Sequence, residues 1–560
     1  MTDAKPQRVL PEITPENEHF WRGGADGELR FLRCAACSHY VHPPAPVCPA
    51  CLGRALAPAA VSGRATLLSY TVNHHPWMPG FAPPYVIAIV EIDEQPGLRL
   101  TTNLVGCAER EISIGMPLRV KFEAGADGVF FPLFEPDARA PAPRRAPAAA
   151  PRHAATPAAP ARSASPRGER SAVITGIGQS DVGRRLSRDP LALTVDACLA
   201  AIADAGLTRA DIDGVATYPG MASGAGFAGF SGAGVSEVQE ALRLELDWYH
   251  GGSETSGQLG SVITACAAIA AGYASHVLCF RTVWESTAQG GGRRQGIGGR
   301  GESFRAGGFM QWVLPFGAAS AANWIALFAQ RHMHEFGTTR EQLAQIALNA
   351  RKNAAHNPRA VYREPLSMSD YLSARLISTP FCLYDCDVPV DGSTAFVISR
   401  ADRARDLRRP ALHVEAVGAA LHGRPSWDQF DDLTTMALRD AGKQLWTRTD
   451  FTPRDVHVAE LYDGFSFITL AWLEALGFCG RGESGAFVEG GARIALGGEL
   501  PLNTNGGQLS GGRLHGYGYL HEACVQLRGE GGTRQVQGAR VAVAAAGGGP
   551  IGGCLLIRRD

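Results

Sequence analysis

Three glycine-rich turns near the C-terminal end of this 560-residue chain are the segments best suited to bind a ligand. They occupy residues 460–465, 503–510 and 544–550, and each follows a short apolar run. Glycine lets the backbone approach a ligand closely and leaves N–H groups free to point at it. We therefore predict that these turns bind substrate. The candidate glycines are Gly506, Gly507, Gly547 and Gly548.

Four cysteines near the other end of the chain have the spacing of metal ligands. Cys34 and Cys37 form one CxxC pair, and Cys48 and Cys51 form a second after ten intervening residues. Two such pairs place four thiolates at the corners of a tetrahedron with metal–sulfur bonds of about 2.3 Å, which suits structural zinc. A rubredoxin-like iron site is the alternative metal. A redox-active or disulfide-bonded role is disfavoured because both pairs occur together.

Short β-type runs follow the cysteines and predict a small barrel, most simply an OB-fold. The runs are 66–72, 85–92, 98–105 and 118–122, separated by Gly and Pro turns. They carry few Lys or Arg, so the basic groove of a nucleic-acid-binding barrel is not expected. Residues 74–85 form a Pro-stiffened aromatic loop between strands, and we expect it to contact a partner domain or an acyl chain.

Residues 137–170 are almost wholly Ala, Pro and Arg. Such a stretch cannot bury enough apolar surface to fold, so we predict a disordered tether between two domains. The remaining boundaries are then 10–60 for a zinc ribbon with an N-terminal helix, 61–136 for the barrel and 171–560 for a larger α/β domain. Helical and strand patterns alternate in two halves of that domain, about 171–400 and 410–560.

At 173–178 the first predicted strand of the larger domain runs into a Gly-x-Gly turn. This turn is only a weak signal of a dinucleotide-binding site. The acidic residue of a nicotinamide-binding site is missing after it, so NAD is excluded as a cofactor.

In order and spacing, the segments of the larger domain resemble the thiolase superfamily. The resemblance covers nearly all of 171–560 and is strongest to the sterol-carrier-protein-x-like branch, which includes steroid side-chain-cleaving aldolases. It implies a duplicated five-layer α-β-α-β-α fold. Residues 10–136 resemble acyl-CoA-associated proteins in which a rubredoxin-like zinc ribbon precedes an OB barrel and which accompany thiolase-like enzymes. The chain therefore looks like a fusion of the two.

The groups that perform acyl transfer in thiolases are absent at the matching positions. Residues 249–257 contain no nucleophilic cysteine, Ala546 stands at the position of the second cysteine, and Arg513 replaces the histidine. Ser253 is a candidate substrate-binding residue in the first of these segments, where we expect hydroxyl side chains mainly to cap the following helix. What the resemblance retains is a cavity that binds a CoA thioester and stabilises its enolate.

An enolate is also formed by retro-aldol cleavage, which needs a base for the β-hydroxyl and no covalent nucleophile. Thiolase-fold aldolases of steroid side-chain degradation depend on tyrosines for this reaction. The resemblance therefore implies a carbon–carbon lyase that cleaves a β-hydroxyacyl-CoA with a steroid or another bulky side chain. The alternatives are a non-catalytic acyl-CoA- or lipid-binding scaffold and an acyltransferase that uses an unorthodox residue.

Tyr462 is the principal catalytic candidate, because it matches the position of a His-Asp-Cys-Phe motif in the sterol-carrier-protein-x branch. A free phenol titrates near pH 10, and a cation such as Arg513 beside it would favour the phenolate and bring its pKa closer to working pH. His515 and Tyr517 follow the glycine-rich turn and are candidates for the second acid or base.

The composition limits the partners of the chain. Lys and Arg number 53 against 54 Asp and Glu, so neither nucleic acid nor an anionic membrane is expected as a partner. The sequence has no long apolar run of membrane-spanning length. We expect a cytoplasmic enzyme with structural zinc, with CoA as part of its substrate, and with a homodimer interface in the thiolase-like domain. An upstream hydratase is a candidate partner.

Metal content tests the cysteine motif. Protein prepared without chelator should contain about one zinc per chain by mass spectrometry, because four thiolates bind zinc as the ribbon folds. Cys34→Ser removes one thiolate and should unfold the ribbon while the larger domain stays folded. Metal far below one equivalent would contradict this prediction.

Overall fold

The structure is a computed structural model that describes residues 8–78, 81–138, 167–220, 228–290, 304–404, 408–424 and 426–560. Most of the predicted tether, 139–166, lies outside these residues. No single helix in the described ranges is long and apolar enough to cross a membrane. One bent pair of helical segments, Gly308–Phe316 with Ala321–Phe336, meets the length and apolar-composition requirements of a membrane span when the two are taken together.

Short strands and one short α-helix form the N-terminal unit. They are β1 (Leu10–Pro11), α1 (Glu18–Arg22), β2 (Leu29–Cys34), β3 (Tyr40–Val41), β4 (Leu56–Val61), β5 (Arg64–Asn73), β6 (Tyr85–Ile92), β7 (Arg99–Leu104), β8 (Pro117–Ala124) and β9 (Phe130–Pro136). Strands β3, β2 and β4 form the ribbon sheet, and β5, β6, β7, β9 and β8 form a sheet that closes where β8 pairs with β5. A closed barrel of five strands is an OB-fold. The predicted ribbon and barrel are therefore confirmed.

The larger domain begins with a half that ends near residue 400. Its elements are β10 (Ala172–Gln179), α2 (Pro190–Ala205), β11 (Gly214–Thr217), α3 (Val235–Leu242), β12 (Trp248–Gly251), α4 (Gly260–Ala270), β13 (His276–Trp284), α5 (Glu285–Ala288), β14 (Arg305–Ala306), α6 (Ala321–Phe336), α7 (Arg340–Ala354), α8 (Met368–Ser373), β15 (Leu376–Ser378), β16 (Phe381–Cys382) and β17 (Asp391–Arg400). Helices α6 and α7 belong to a long insertion between β13 and β17, and α6 packs on β5 of the barrel.

The second half repeats the pattern without this insertion. Its elements are β18 (Leu412–Leu421), α9 (Leu438–Thr447), β19 (Val458–Leu461), α10 (Ser466–Ala475), α11 (Ser484–Val488), α12 (Gly516–Arg528), β20 (Val541–Gly548) and β21 (Ile551–Arg558).

The two halves have the same strand order and the same strand directions. In the first half β11 runs parallel to β13, which is antiparallel to β17, and β17 is antiparallel to β10. In the second half β19, β20, β21 and β18 follow in that order with the same directions. The halves join through β10 and β18 over two residue pairs. This internal repetition is the duplication that the sequence predicts.

Helices cover these strands in layers. Helix α2 packs on β10 and β17, α9 packs on β18 and β21, and α12 contacts strands of both halves, so α12 lies between them. Close packing is possible because the strands carry glycine where a helix crosses. A Cβ at Gly176 would lie 2.1 Å from the Ala201 carbonyl oxygen of α2, and one at Gly418 would lie 2.2 Å from the Ala441 carbonyl oxygen of α9. The predicted duplicated, layered α/β arrangement is confirmed.

The N-terminal unit is docked on the larger domain over an extended surface. Strand β15 extends the barrel sheet, since Ser378 pairs with Asn73 at the end of β5. The indole rings of Trp21 and Trp312 stack with centroids 5.5 Å apart. In addition, the buried Asp428 accepts hydrogen bonds from the backbone and hydroxyl of Thr101 at 3.0 and 2.9 Å. The two units therefore form one body in which a cavity can lie between them.

The last four residues of the predicted tether are part of the larger domain, and this corrects the predicted boundary. Arg167 forms a bidentate ion pair with Asp450 at 3.0 Å, and Arg170 pairs with Glu415. Glu169 is buried and pairs with Arg448. Charged side chains with fixed partners anchor a segment whose composition alone predicts disorder.

Because of these docking contacts, we predict that the N-terminal unit and the larger domain stay associated after the chain is cleaved within 139–166. They should co-elute in size-exclusion chromatography at micromolar concentration, because a shared sheet and a buried aromatic stack hold them. Trp312→Ala removes the ring that stacks on Trp21 and should weaken this association by about 3 kcal/mol. Pieces that separate fully without the substitution would contradict the docking.

Candidate active site

A cavity of about 670 Å³ lies at the junction between the barrel and the larger domain. His75 and Trp77, from the aromatic loop after β5, form one wall. The loop is held by the Trp77 indole N–H, which donates to Asn73 Oδ1 at 2.9 Å, and by a 3.3 Å contact between His75 Nδ1 and Arg375 Nη1. The loop therefore contacts the partner domain, as the sequence predicts, and also lines the cavity.

Four arginines line the same cavity: Arg184, Arg185, Arg351 and Arg375. Arg351 donates from Nε to Ser510 Oγ at 2.9 Å, and its guanidinium lies 5.3 and 5.8 Å from the ring centroids of Tyr362 and Tyr384. Guanidinium groups and aromatic faces at one mouth suit a ligand with phosphates and a planar base.

A buried ion cluster lies at the back of the cavity. Arg513 donates from Nε to Glu285 Oε2 at 2.7 Å and from Nη2 to the same oxygen. Its Nη1 lies 3.5 Å from Asp387 Oδ2. Glu285 and Asp387 both line the cavity, and all three side chains are nearly inaccessible to solvent. The cluster joins the end of β13, the segment before β17 and the chain just after the glycine-rich turn at 503–510.

Backbone hydrogen bonds hold the segment that carries Asp387. The Asp387 N–H donates to the Gly464 carbonyl at 3.2 Å, the Val388 N–H donates to the Gln508 carbonyl at 3.1 Å, and the Arg513 N–H donates to the Val388 carbonyl at 2.9 Å. The segment therefore bridges two of the three turns identified from the sequence.

Tyr462 follows β19 and is 8% exposed beside this cluster. Gly464 permits its position, because a Cβ there would lie 2.5 Å from the Tyr462 ring. Burial raises the pKa of the Tyr462 phenol, the Asp387 carboxylate raises it further, and Arg513 only partly opposes them. The expectation that Arg513 brings the phenolate toward working pH is therefore wrong in its net result. The neutral phenol is suited to donate a proton.

The glycine-rich turn at 503–510 does not provide the free N–H donors that the sequence predicts at Gly506 and Gly507. The Gly506 N–H donates to the Asn503 carbonyl, and the Gly507 N–H donates to Asn505 Oδ1, both at 2.9 Å. Gly507 is needed for a different reason, since a Cβ would lie 2.0 Å from Asp463 Oδ2.

The Asp463 carboxylate holds this turn in place through hydrogen bonds. Its Oδ1 accepts the Gln508 N–H at 2.7 Å and the Tyr519 hydroxyl. Burial raises the pKa of the Asp463 carboxyl to about 6. A carboxyl that titrates near neutral pH therefore lies next to Tyr462 in the chain.

Comparisons with known proteins agree with this architecture. The thiolase C-terminal domain-like family matches residues 419–553, the ChsH2 C-terminal OB-fold family matches 59–123, and the ChsH2 rubredoxin-like zinc ribbon family matches 21–57. The steroid side-chain-cleaving aldolase of Thermomonospora curvata is 35% identical over 394 residues, which cover 69% of this chain and 97% of that protein.

A second relative and a solved structure have the same kind of similarity to this chain. The 17-hydroxy-3-oxo-4-pregnene-20-carboxyl-CoA lyase of Mycobacterium tuberculosis is 35% identical over 396 residues, 69% of this chain and 98% of that protein. A solved structure, the Ltp2-ChsH2(DUF35) aldolase, has a TM-score of 0.61 and 34% identity over 70% of this chain and 98% of that chain. The chain belongs to the steroid side-chain-cleaving aldolase branch of the thiolase superfamily. It is a carbon–carbon lyase of that superfamily, with ribbon, barrel and aldolase domain in one chain.

The remaining candidate residues of the aldolase lie in different places. His515 has a positive φ of 56° and lines a second cavity of about 370 Å³, with its ring against Phe230. Tyr517 is fully buried and shares a 2.8 Å hydrogen bond with Ser261, so it packs inside the domain and is not placed to act on a ligand in the junction cavity. Gly547 and Gly548 end β20 in its hairpin with β21.

Ser253 is exposed in the turn between β12 and α4 and does not line the junction cavity. The expectation that hydroxyls in this turn cap the next helix is wrong. The 3-10 turn Gly257–Leu259 and α4 both lack a side-chain cap, and the Thr255 hydroxyl donates to the Gly257 carbonyl at 3.0 Å. The substrate-binding role of Ser253 stays a prediction.

Cysteines near the aldolase core are poor nucleophiles. Burial raises the pKa of the Cys266 thiol and of the Cys479 thiol to about 12, and that of Cys279 well above its ordinary value. Each is therefore a neutral thiol at neutral pH, which does not form acyl-enzymes efficiently.

The four ribbon cysteines have a geometry that fits a tetrahedral metal. Their Sγ atoms all lie within 4.8 Å of one another. Cys34 and Cys51 are 3.6 Å apart, as are Cys37 and Cys48. A tetrahedron with zinc–sulfur bonds of about 2.3 Å has edges of about 3.8 Å, whereas a disulfide needs about 2.05 Å. The predicted four-cysteine cluster is confirmed.

Sequence reasoning missed Glu285 and Asp387. Each lies beside a strand of the first half, and neither belongs to a motif or to a run of charged residues. The weak available signal was that Glu285 directly follows the apolar strand β13, where a carboxylate at a strand end is suited to a site.

The raised pKa of Tyr462 predicts that its phenol stays protonated up to about pH 10. The ultraviolet tyrosinate signal of wild type minus that of Tyr462→Phe should therefore stay near zero below that pH. Arg513→Met removes the cation that favours the phenolate and should move the Tyr462 titration still higher. A difference signal that appears between about pH 7 and 9 would contradict the burial argument.

Proposed function

We propose that this chain cleaves the Cα–Cβ bond of a β-hydroxyacyl-CoA by a retro-aldol reaction in the junction cavity. The proposal rests mainly on one arrangement: Tyr462, whose pKa is raised by burial, lies beside the Arg513–Glu285–Asp387 cluster, and the two carboxylates of that cluster line the cavity. Cys266 and Cys279 do not supply a thiolate instead, because burial keeps their thiols neutral.

The CoA part of the substrate is bound at the arginine-rich mouth. Arg184, Arg185, Arg351 and Arg375 match the phosphates of CoA, and the faces of Tyr362 and Tyr384 suit its adenine ring. The cavity volume of about 670 Å³ is within the range of sites that bury a large ligand. Together with the names of the relatives, this supports a bulky acyl group such as a steroid side chain.

In the reaction, cleavage leaves an enolate on the CoA product, and the enolate must be protonated at its α carbon. Tyr462 supplies that proton, since its raised pKa keeps the hydroxyl intact at neutral pH. Arg513 forms ion pairs with both carboxylates beside it, which offsets part of the cost of burying them.

The assembly has three further parts. Zinc bound by Cys34, Cys37, Cys48 and Cys51 stabilises the ribbon and takes no part in the reaction, because four thiolates fill its coordination. The aldolase domains form a homodimer, for which the edge strand β12 and its 71% exposed Tyr249 offer a surface. A β-hydroxyacyl-CoA arises when an enoyl-CoA is hydrated, so a hydratase acts upstream.

A panel of β-hydroxyacyl-CoA thioesters tests the function. Wild type should release acetyl-CoA or propionyl-CoA and a carbonyl product from bulky members of the panel, detected by mass spectrometry. A matched pantetheine thioester should show a higher KM, because it lacks the phosphates that the arginines bind. Binding of the CoA esters without turnover would instead support a non-catalytic scaffold.

Tyr462→Phe keeps the ring and removes only the proton donor, so the turnover number should fall by about 100-fold or more while CoA-ester binding survives. Cys266→Ala, Cys279→Ala and Cys479→Ala are the matched controls and should keep nearly full activity. Inactivation by a thiol-directed alkylator that labels one core cysteine would defeat the aldolase mechanism and restore an acyl-enzyme.

A further inference from the structure

Glu285 carries a buried carboxylate oxygen without a hydrogen-bond partner in the described part of the chain. Its side chain is 0% exposed, and while Oε2 accepts two hydrogen bonds from Arg513, Oε1 accepts none. Leaving a buried charged acceptor unsatisfied is costly, and native proteins rarely do so without a reason. Because Glu285 lines the junction cavity, a ligand hydroxyl is the natural donor for Oε1.

The surrounding structure fixes the position of this carboxylate. Glu285 is the first residue of α5, directly after β13. Two residues later, the Thr287 N–H and hydroxyl donate to the two carboxylate oxygens of Asp391, at 3.0 and 2.5 Å, at the start of the neighbouring β17. With its backbone clamped to the sheet and Oε2 bound by Arg513, the Glu285 side chain has little freedom to rotate.

Glu285 and Tyr462 reach the site from different halves of the larger domain. Glu285 comes from the end of β13, and Tyr462 comes from the end of β19, which are equivalent neither in sequence nor in the strand order. Arg513 interacts with both residues. It donates two hydrogen bonds to the Glu285 carboxylate, and its positive charge partly offsets the rise that burial causes in the pKa of the Tyr462 phenol. A base and an acid on opposite halves can act on two different atoms of one substrate.

We infer that Glu285 is the general base of the cleavage, an inference that rests on the proposed function. Oε1 takes the proton of the substrate β-hydroxyl, and the oxygen lone pair forms the new carbonyl. The Cα–Cβ bond breaks, and its electron pair moves to the thioester as an enolate. Tyr462 then protonates the α carbon, and after product release Glu285 gives its proton to solvent while the Tyr462 phenolate takes one from solvent. One proton moves from the hydroxyl to the α carbon, and no oxidant or reductant is needed.

Glu285 is preferred to Asp387 for this role because of the way each contacts Arg513. Glu285 Oε2 receives two hydrogen bonds, which leaves the second oxygen directed away from the guanidinium. Asp387 contacts Arg513 at the longer distance of 3.5 Å, and its charge raises the pKa of Tyr462. Asp387 therefore acts on the acid, as a positioning residue, and Glu285 acts on the substrate.

Substitution and chemical rescue test the inference. Glu285→Gln should lower kcat by about 100-fold or more with CoA-ester affinity within a few fold of wild type, because the amide keeps the shape and loses the basicity. Glu285→Asp should retain more activity than Glu285→Gln. In Glu285→Ala, added formate should raise the rate with saturation, since a small carboxylate can occupy the vacated space. The exposed Glu341→Gln on α7 is the matched control.

Rescue separates chemistry from structure. Formate should not rescue Tyr462→Phe, and the thermal midpoint and CoA-ester binding of each variant show whether it is folded. Full activity in Glu285→Gln overturns the inference and leaves the proposed function intact. Loss of activity in folded Glu285→Ala without formate rescue also overturns it, because it marks Glu285 as a positioning residue. A wild type that cleaves no member of the thioester panel overturns the proposed function and this inference together.

Discussion

The buried guanidinium of Arg513 is the interaction on which the site depends. A cation taken out of water is tolerated only with partners, and Glu285 and Asp387 provide them. Burial lowers the pKa of the Arg513 guanidinium, but the two carboxylates raise it by more, so its pKa lies above the ordinary value. Removing Arg513 would leave two buried carboxylates without their cation, so this one side chain ties together the end of β13, the segment before β17 and the chain just after the glycine-rich turn at 503–510.

This ion cluster also accounts for the departure from thiolase chemistry. A thiolase position normally held by histidine carries Arg513, which cannot accept a proton, and the cysteine positions carry residues without thiols. In the mechanism we propose, the acid–base work falls on neighbours of this cation: the Glu285 carboxylate paired with it, and the Tyr462 phenol that burial keeps protonated. The altered residues form one consistent electrostatic arrangement.

The second constraint is the junction between the barrel and the larger domain. Residues 75–77 of the barrel loop form part of the cavity wall, and strand β15 of the larger domain extends the barrel sheet. The N-terminal unit is thus a structural part of the junction cavity. Joining both parts in one chain keeps them at high local concentration, which favours the complete cavity over its separate halves.

The sequence by itself determined the features that depend on local patterns. The CxxC spacing indicated the four-cysteine cluster, alternating runs indicated the barrel, the order of turns indicated the duplicated fold, and the absent cysteines indicated chemistry without an acyl-enzyme. Tyr462 and Arg513 could be named because they belong to recognisable turns. The cysteine spacing and the alternating runs lie within short stretches of chain, where side-chain spacing maps directly onto geometry, and the other features follow from the order of such stretches.

Only the tertiary structure decided what distant segments do together. Glu285 and Asp387 join Arg513 although 228 residues separate Glu285 from it, and no periodicity marks them. Burial reversed the expected net shift of the Tyr462 pKa, Tyr517 turned into the core, and the N–H groups of Gly506 and Gly507 bonded within their own turn. Desolvation and hydrogen-bond pairing depend on every neighbour in space, and a sequence lists only the neighbours along the chain.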